Sequence, residues 1–499
     1  MASRDLREPT STMGTIINIS EEGESDQKLI RKFTKQELDL IDKQATKYSE
    51  EAKKLEEEAH RRNTSCIYRV LPRLRKINDN SLYEPNKVSI GPYYYHLRSE
   101  KFMMAEDCKR KCFVSLLAKN MNKDGEIDIY KSCMQKIGQH EGKIRKCYSE
   151  DFQVNGIEFL ETMVLDACFI IGIIEMFGNL KTEADFSESL AALEWMVPYF
   201  YRDFLLLENQ IPLFVLTEIY ALIHKIPVWR STSKLMVSAL GFFKNGMIIS
   251  DSIFNSMERY ILIHDEKIMD LKHRVLPVLH LLDLVSFSLT MPLNIPQGPR
   301  PSLFVKPPPI GCISKLRLAG IKVSPGKKRS FLEVKFRKGS IEMPNIAIDD
   351  LMRCVLLNLV AFEQCHQGSR KYFTVYASFL DSLVNTSEDF EYLRKRNVID
   401  NYHLADDSKA VDFINRAGKD LVLTDNYDFY LQELYEDVEK HHYQKWRLWK
   451  WASVKWESFK REYFDKPWLL LSAAGGILLV VATSFQAVMA FLTYKYKNC

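Results

Sequence analysis

Three acidic residues in apolar surroundings are the groups of this chain best placed by type and setting to do chemistry. Asp166 lies in Met163-Val-Leu-Asp-Ala-Cys-Phe-Ile170, and Glu208-Asn209-Gln210 sits between Leu205-Leu-Leu207 and Ile211-Pro-Leu-Phe-Val-Leu216. Glu363-Gln364-Cys365 follows Leu356-Leu-Asn-Leu-Val-Ala-Phe362. A carboxyl group in apolar company has its pKa raised and can act as a general acid or base, which makes Asp166 and Glu208 candidate catalytic residues. The competing role is structural. An unpaired buried carboxylate is expensive, so each acid calls for a partner, with Arg69, Arg73 and Arg353 the expected ones. On that reading Arg69, Arg73, Asp166, Glu208, Asn209, Gln210, Glu363 and Gln364 form salt links and caps that fix helix packing.

Other chemistry has weaker support. The sequence has no Gly-x-Ser-x-Gly elbow, no His-Glu-x-x-His zinc helix and no His-Arg-Asp kinase loop. Gly320-Ile-Lys-Val-Ser-Pro-Gly326-Lys327 looks like a phosphate loop, but its glycines are one residue too far apart and Lys328 stands where the magnesium-binding hydroxyl belongs. Cys108 with Cys112, and Cys354 with Cys365 beside His366, lack the two-residue spacing of a zinc knuckle and read as buried thiols. His264-Asp265-Glu266 with His273 or His280 and a cysteine would make a hydrolytic set only if the fold assembled them. No metal and no cofactor is expected.

The elements that must position these residues are mostly helices. Residues 1–28 are a polar tail, and 29–62 hold a charged amphipathic helix whose stripe is Leu38, Ile41, Ala45, Tyr48, Ala52, Leu55 and Ala59. That helix is suited to docking on the body, to self-association through 36–61 or to a partner protein. Residues 63–290 form a first helical part, with helices expected over about 97–120, 126–149, 155–178 and 271–289. A further helix is expected from Asp203, where Pro212 either kinks it or starts a new one. The Pro-rich connector 291–310 cannot stay helical. Residues 311–425 carry a small β insert and more helices. Phe331–Arg337 and Ser340–Met343 form a hairpin about Lys338-Gly339, Ile321–Val323 adds a third strand, and helices follow over 349–365, 372–383, 387–394 and 409–422.

The chain closes on a long helix, 426–466, rich in Trp and basic residues, and on an uncharged apolar run from Trp468 to Tyr494 within segment 467–494; residues 495–499 follow it. About 20 apolar helical residues cross a bilayer core, so the run is read as one transmembrane helix. Trp446, Trp449, Trp468 and Tyr494 suit the headgroup layers. Lys445, Arg447, Lys450, Lys455, Lys460, Arg461 and Lys466 precede the run against Lys495 and Lys497 after it, which keeps the N-terminal body in the cytosol. The membrane is the plasma membrane or an endomembrane. Ten cysteines in 499 residues are too sparse for a disulfide scaffold. The formal charge of +4 argues for no nucleic-acid partner.

Ordered motifs run through most of the chain. They include Ile67-Tyr-Arg-Val-Leu-Pro-Arg-Leu-Arg75, Tyr83-Glu-Pro85, Val88-Ser-Ile-Gly-Pro-Tyr93 and Met163–Ile170. Asp203-Phe-Leu-Leu-Leu-Glu-Asn-Gln-Ile-Pro212, Asn358–Cys365, Tyr376–Asp389 and Tyr463-Phe-Asp-Lys-Pro-Trp468 continue the series. With them the chain resembles the plant domain-of-unknown-function 247 family, also called UPF0481 proteins. It departs at Tyr94-Tyr95-His96, where the family usually has paired histidines and glycine, and at Ala167, where glycine is common. The resemblance implies a C-terminal membrane span and no assigned biochemical activity; some grass members are linked to pollen–stigma self-incompatibility.

The sequence therefore leads to a mainly α-helical cytosolic body with a small β-hairpin or sheet insert and one C-terminal transmembrane helix. Its expected function is that of a tail-anchored plant protein whose body binds another protein in signalling or cell recognition. The alternatives are a membrane-associated hydrolase or transferase of unrecognised design using Asp166 or Glu208, and a peripheral lipid-binding module using the Trp-rich helix. Self-association through the transmembrane helix is a further expectation.

Overall fold

Helix dominates the computed structural model, which describes residues 33–119, 128–178, 193–268, 278–293, 310–326, 330–401, 406–423, 429–443, 455 and 467–497. The chain divides into two compact units, Met1–His60 and Arg61–Cys499. The first contains nearly all of α1 (Lys35–Thr64). A reciprocal cap starts this helix: Glu37 N donates to Thr34 Oγ1 at 3.3 Å, and Thr34 N donates to Glu37 Oε2 at 2.8 Å. Leu38, Ile41 and Tyr48 of its stripe are exposed.

In the second unit the helices are α2 (Pro72–Ile77), α3 (Met103–Lys119), α4 (Asp128–Gly138), α5 (Glu141–Lys146) and α6 (Gly156–Phe177). They continue with α7 (Val197–Asp203), α8 (Leu213–His224), α9 (Val228–Asn245), α10 (Asp251–Ile268) and α11 (Leu281–Thr290). Past its exposed first turns α6 is buried on nearly every side from Thr162 to Glu175, and accordingly it is the central helix, packed by α3, α4, α8 and α9. The expected helix over 126–149 is two helices, broken at Gln139 and His140. Pro212 starts a new helix: α7 ends at Asp203, an irregular loop carries Phe204 to Ile211, and Pro212 is the N-cap residue of α8. The Leu-rich helix α11 starts at Leu281, where the extended His280 caps it through its side chain; residues 271–277 of the expected helix lie outside the described residues.

After the connector, of which 294–309 lie outside the described residues, come α12 (Ile313–Leu318), β1 (Lys322–Pro325), β2 (Lys335–Arg337), β3 (Ser340–Met343) and β4 (Ile346–Ile348). The hairpin is β2–β3, and both turn residues have positive φ, Lys338 at 49° and Gly339 at 78°, the turn whose twist matches paired strands. β1 lies parallel to β3, giving the order β1-β3-β2. Phe331 to Val334 are outside the strand, a shorter β2 than expected. A second, two-stranded sheet pairs β4 with β5 (Ile399–Asn401) in parallel.

α13 (Asp350–Cys365), α14 (Tyr372–Leu383), α15 (Ser387–Lys395) and α16 (Asp407–Ala417) complete the body, with α13 on α14, α14 on α16, and α13 also touching α7. Residues 432–443 are helical. The chain ends in α17 (Pro467–Lys497). Trp446 and Trp449 lie outside the described residues, while Trp468 and Tyr494 fall within α17.

Candidate functional site

The segment from Tyr83 to Tyr94 runs through the body without strand partners, so its backbone polar groups need other acceptors and donors. The irregular loop between α7 and α8 supplies them. Asp203 accepts hydrogen bonds from Asn86 N, Lys87 N and Val88 N at 2.7–3.0 Å. Asn209 Oδ1 accepts from Ile90 N at 2.7 Å, and its amide donates to Val88 O at 3.0 Å and Asp203 O at 2.9 Å. Gln210 donates to Phe204 O and Leu206 O, accepts from Leu282 N at 3.3 Å, and so holds the loop to itself and to α11.

Glu208 is 1 % exposed. Its Oε1 accepts from Val70 N and Arg75 Nη2, both at 2.7 Å; its Oε2 accepts from Arg69 Nη1 at 2.8 Å and Tyr94 Oη at 2.9 Å. Burial pushes this carboxyl up, but Arg75 above all, with Val70 N and Arg69, outweighs it and leaves the group below its ordinary value. Pro72 at the first turn of α2 sends Arg75 back toward the same acid that Arg69 reaches from the extended side.

Asp166, wholly buried in α6, has the same saturation. Arg98 Nη1 and Lys109 Nζ meet Oδ1 at 3.0 and 2.7 Å, while Arg98 Nη2 and Gly91 N meet Oδ2 at 2.6 and 2.8 Å. Lys109 is also wholly buried, and its ammonium has three acceptors: Asp166, Glu106 at 2.6 Å and Ser89 O at 2.5 Å. Glu106 in turn pairs with Arg98 at 3.1 Å. Two acids and two cations thus neutralise one another inside the core. Burial pushes Asp166 up, and the charges of Arg98 and Lys109 overcome it. Lys109 moves down, through burial and the neighbouring Arg98. Gly91 closes this centre; its φ is +71°, and a Cβ there would stand 2.6 Å from Gln210 O.

The third centre differs. Glu363 accepts from Phe373 N at 3.0 Å and from Thr374 N and Thr374 Oγ1 at 2.7 Å, capping α14 from the neighbouring helix, and burial raises it to about 7. Gln364 accepts from Arg73 at 3.0 Å and exchanges two hydrogen bonds with the Val422 backbone.

The expected pairings need correction. Arg69 does meet Glu208, but Asp166 is held by Arg98 and Lys109, Arg73 serves Gln364, and Arg353 pairs with Asp350 at 3.1 Å while lying over the Phe413 ring. Arg75, Tyr94, Arg98, Glu106, Lys109 and Asp203 join these centres through contacts that no local sequence pattern marks, Lys109 excepted. One signal for Lys109 was present: it falls on the apolar stripe of Ala105, Cys112, Phe113 and Leu116.

His280 does not join a hydrolytic set. Its Nε2 meets the Cys66 carbonyl at 3.0 Å, its Nδ1 accepts from Asp283 N, and burial lowers it to about 3, so it is neutral. The side chains of His264, Asp265 and Glu266, and all of His273, lie outside the described residues. Among the described residues no group of three or more His, Cys, Asp or Glu could hold a metal ion. Among the described residues, clefts of about 840 and 610 Å³ open on the body, and neither of these is lined by Asp166, Glu208 or Glu363.

These features define a helical body whose buried Asp166 and Glu208 carboxylates are fully hydrogen-bonded, with an apolar C-terminal helix. The chain belongs to the plant proteins of unknown function called DUF247, whose family model matches residues 67–482. It is 31 % identical over 444 residues to the UPF0481 protein At3g47200 of Arabidopsis thaliana, covering 87 % of each chain. It is 24 % identical over 511 residues to the putative UPF0481 protein At3g02645 of the same plant, covering 87 % of this chain and 91 % of that one. No solved structure matches.

Proposed function

We propose that this chain is a tail-anchored membrane protein whose cytosolic body binds another protein, in signalling or cell recognition. The observation that carries the reading is α17. Ala474–Thr493 is long and apolar enough to cross a membrane, and none of it is covered by the body. Ile477, Leu478, Val480, Val481 and Phe485 all lie well exposed along it. A contiguous apolar surface of this kind is unfavourable in water, and a bilayer would cover it on every side. The excess of Lys and Arg before the helix supports a cytosolic body.

Binding is favoured over catalysis by the state of the acids. Glu208 and Asp166 each receive four hydrogen-bond donors, which fill the lone-pair directions of a carboxylate and leave none for a substrate proton. The exposed stripe of α1 offers a surface for a partner or a second copy. Membrane fractionation and proximity labelling of the full chain, beside a chain lacking 467–499, test the proposal. Loss of membrane association and of a reproducible protein neighbourhood on truncation is expected; unchanged association, or an N-terminal tag protected from protease in intact membranes, would refute it.

A further inference from the structure

Two cysteines stand together where neither the ion clusters nor the anchor uses them. Ile67 and Tyr148 form an isolated parallel bridge, and the residues just before them are Cys66 and Cys147. Cys66 N and Ile67 N both donate to Cys147 O at 2.9 Å, and Ser149 N donates to Ile67 O at 2.9 Å. The Ser65 hydroxyl adds a further tie, to Lys146 O at 3.2 Å. Bridged segments lie about 4.8 Å apart, within the range of about 4.4–6.8 Å between Cα atoms that a disulfide requires. The bridge places the two cysteines side by side in register, and the Cys147 thiol donates to Lys143 O at 3.3 Å.

Their surroundings divide the labour. Cys66 is buried; Cys147 is half-buried at the end of α5, beside the exposed Lys143. The adjacent Cys66 thiol lowers the Cys147 thiol, burial opposes this, and the Lys143 charge lowers it further. Cys112, Cys133, Cys354 and Cys365 are instead pushed up to about 12 by burial, which makes them poor nucleophiles.

We propose that Cys66 and Cys147 form a peroxide-sensitive dithiol that closes a reversible disulfide beneath the Glu208 cluster. The Cys147 thiolate attacks one oxygen of hydrogen peroxide; the O–O bond breaks, and the departing hydroxide takes a proton and leaves as water. Cys147 is then a sulfenic acid. The Cys66 sulfur attacks the Cys147 sulfur, the S–O bond breaks, and the Cys66 proton leaves with the hydroxide as a second water. Two thiols are oxidised and one peroxide is reduced. A small thiol reverses the bond by exchange. The disulfide covalently fastens the segment that carries Arg69 and Val70 N, both on Glu208, and the Cys66 carbonyl held by His280.

The test uses the reduced full-length chain in detergent micelles, treated with hydrogen peroxide, alkylated and digested without reductant for mass spectrometry. A linked peptide pair containing Cys66 and Cys147 is expected before any other pair, and it should disappear with dithiothreitol. Cys66→Ala should lose the pair and leave Cys147 trapped as a dimedone adduct; Cys147→Ala should leave Cys66 reduced. Lys143→Gln, which keeps the backbone carbonyl that the Cys147 thiol meets and removes only the ammonium, should slow formation of the pair. Failure of the pair to form, prior pairing of other cysteines, or equally fast oxidation of Cys66 in Cys147→Ala would overturn the proposal.

Discussion

Asp166→Asn removes one charge from the buried quartet of Asp166, Glu106, Arg98 and Lys109 while keeping the shape of the side chain. Lys109 is wholly buried and Arg98 nearly so, which leaves an uncompensated cation with little access to water. Breaking a buried pair in this way costs about 3–5 kcal/mol. For a body of about 400 residues that corresponds to a melting midpoint lowered by roughly 4–6 °C. Thermal unfolding of the full chain in detergent, followed by tryptophan fluorescence, would measure it. Lys109→Met, added to Asp166→Asn, leaves the Arg98–Glu106 pair neutral and should recover at least half of the loss. The sign with pH is also set. Asp166 is held below its ordinary value, so its contribution is present above the unfolded pKa of about 4 and is lost as pH falls through the folded value. The gap between wild type and Asp166→Asn should therefore close on acidification. A single variant within about 1 kcal/mol of wild type, or a double variant less stable than the single, would refute the reasoning.

Glu363 reverses that sign: its folded pKa is raised from 4.5 to about 7, so stability falls as pH rises between those values. The loss approaches about 3 kcal/mol, and Glu363→Gln should abolish this pH dependence in urea unfolding between pH about 4.5 and 8. Gly91→Ala should cost about 2 kcal/mol or more, from its positive φ and the clash with Gln210 O. Gly475→Ala, with nothing within 4 Å of its Cβ, should leave the melting midpoint unchanged. Arg75→Met should destabilise the body more than Arg73→Met in the same melt, because Arg75 bonds the buried Glu208 carboxylate while Arg73 bonds the neutral Gln364 amide.

Much of the fold was legible because its signals are local. α6, α13, α14 and α17 follow from unbroken apolar or amphipathic runs bounded by caps and prolines, and the β2–β3 hairpin follows from Lys338-Gly339 between alternating residues. Asp166, Glu208 and Glu363 stood out as acids in apolar company for the same reason. Asp203 was hidden because its partners are backbone amides of a segment more than a hundred residues earlier. The parallel pairing of β4 with β5 was hidden for a like reason, since strands so distant share no local pattern.

The sequence by itself determined that this chain is largely helical, that its acids could not remain unpaired, and that its last helix is long and apolar enough to cross a bilayer. Those conclusions rest on periodicity and on the cost of burying charge, both readable over a few turns. Only the tertiary structure decided which cation answers which acid. Arg98 lies 68 residues from Asp166, and Arg69 lies 139 from Glu208. Every lysine and arginine offers the same charge, and it is the packing of α3 on α6 and of the Tyr83–Tyr94 segment on the 203–210 loop that brings particular ones within 3 Å.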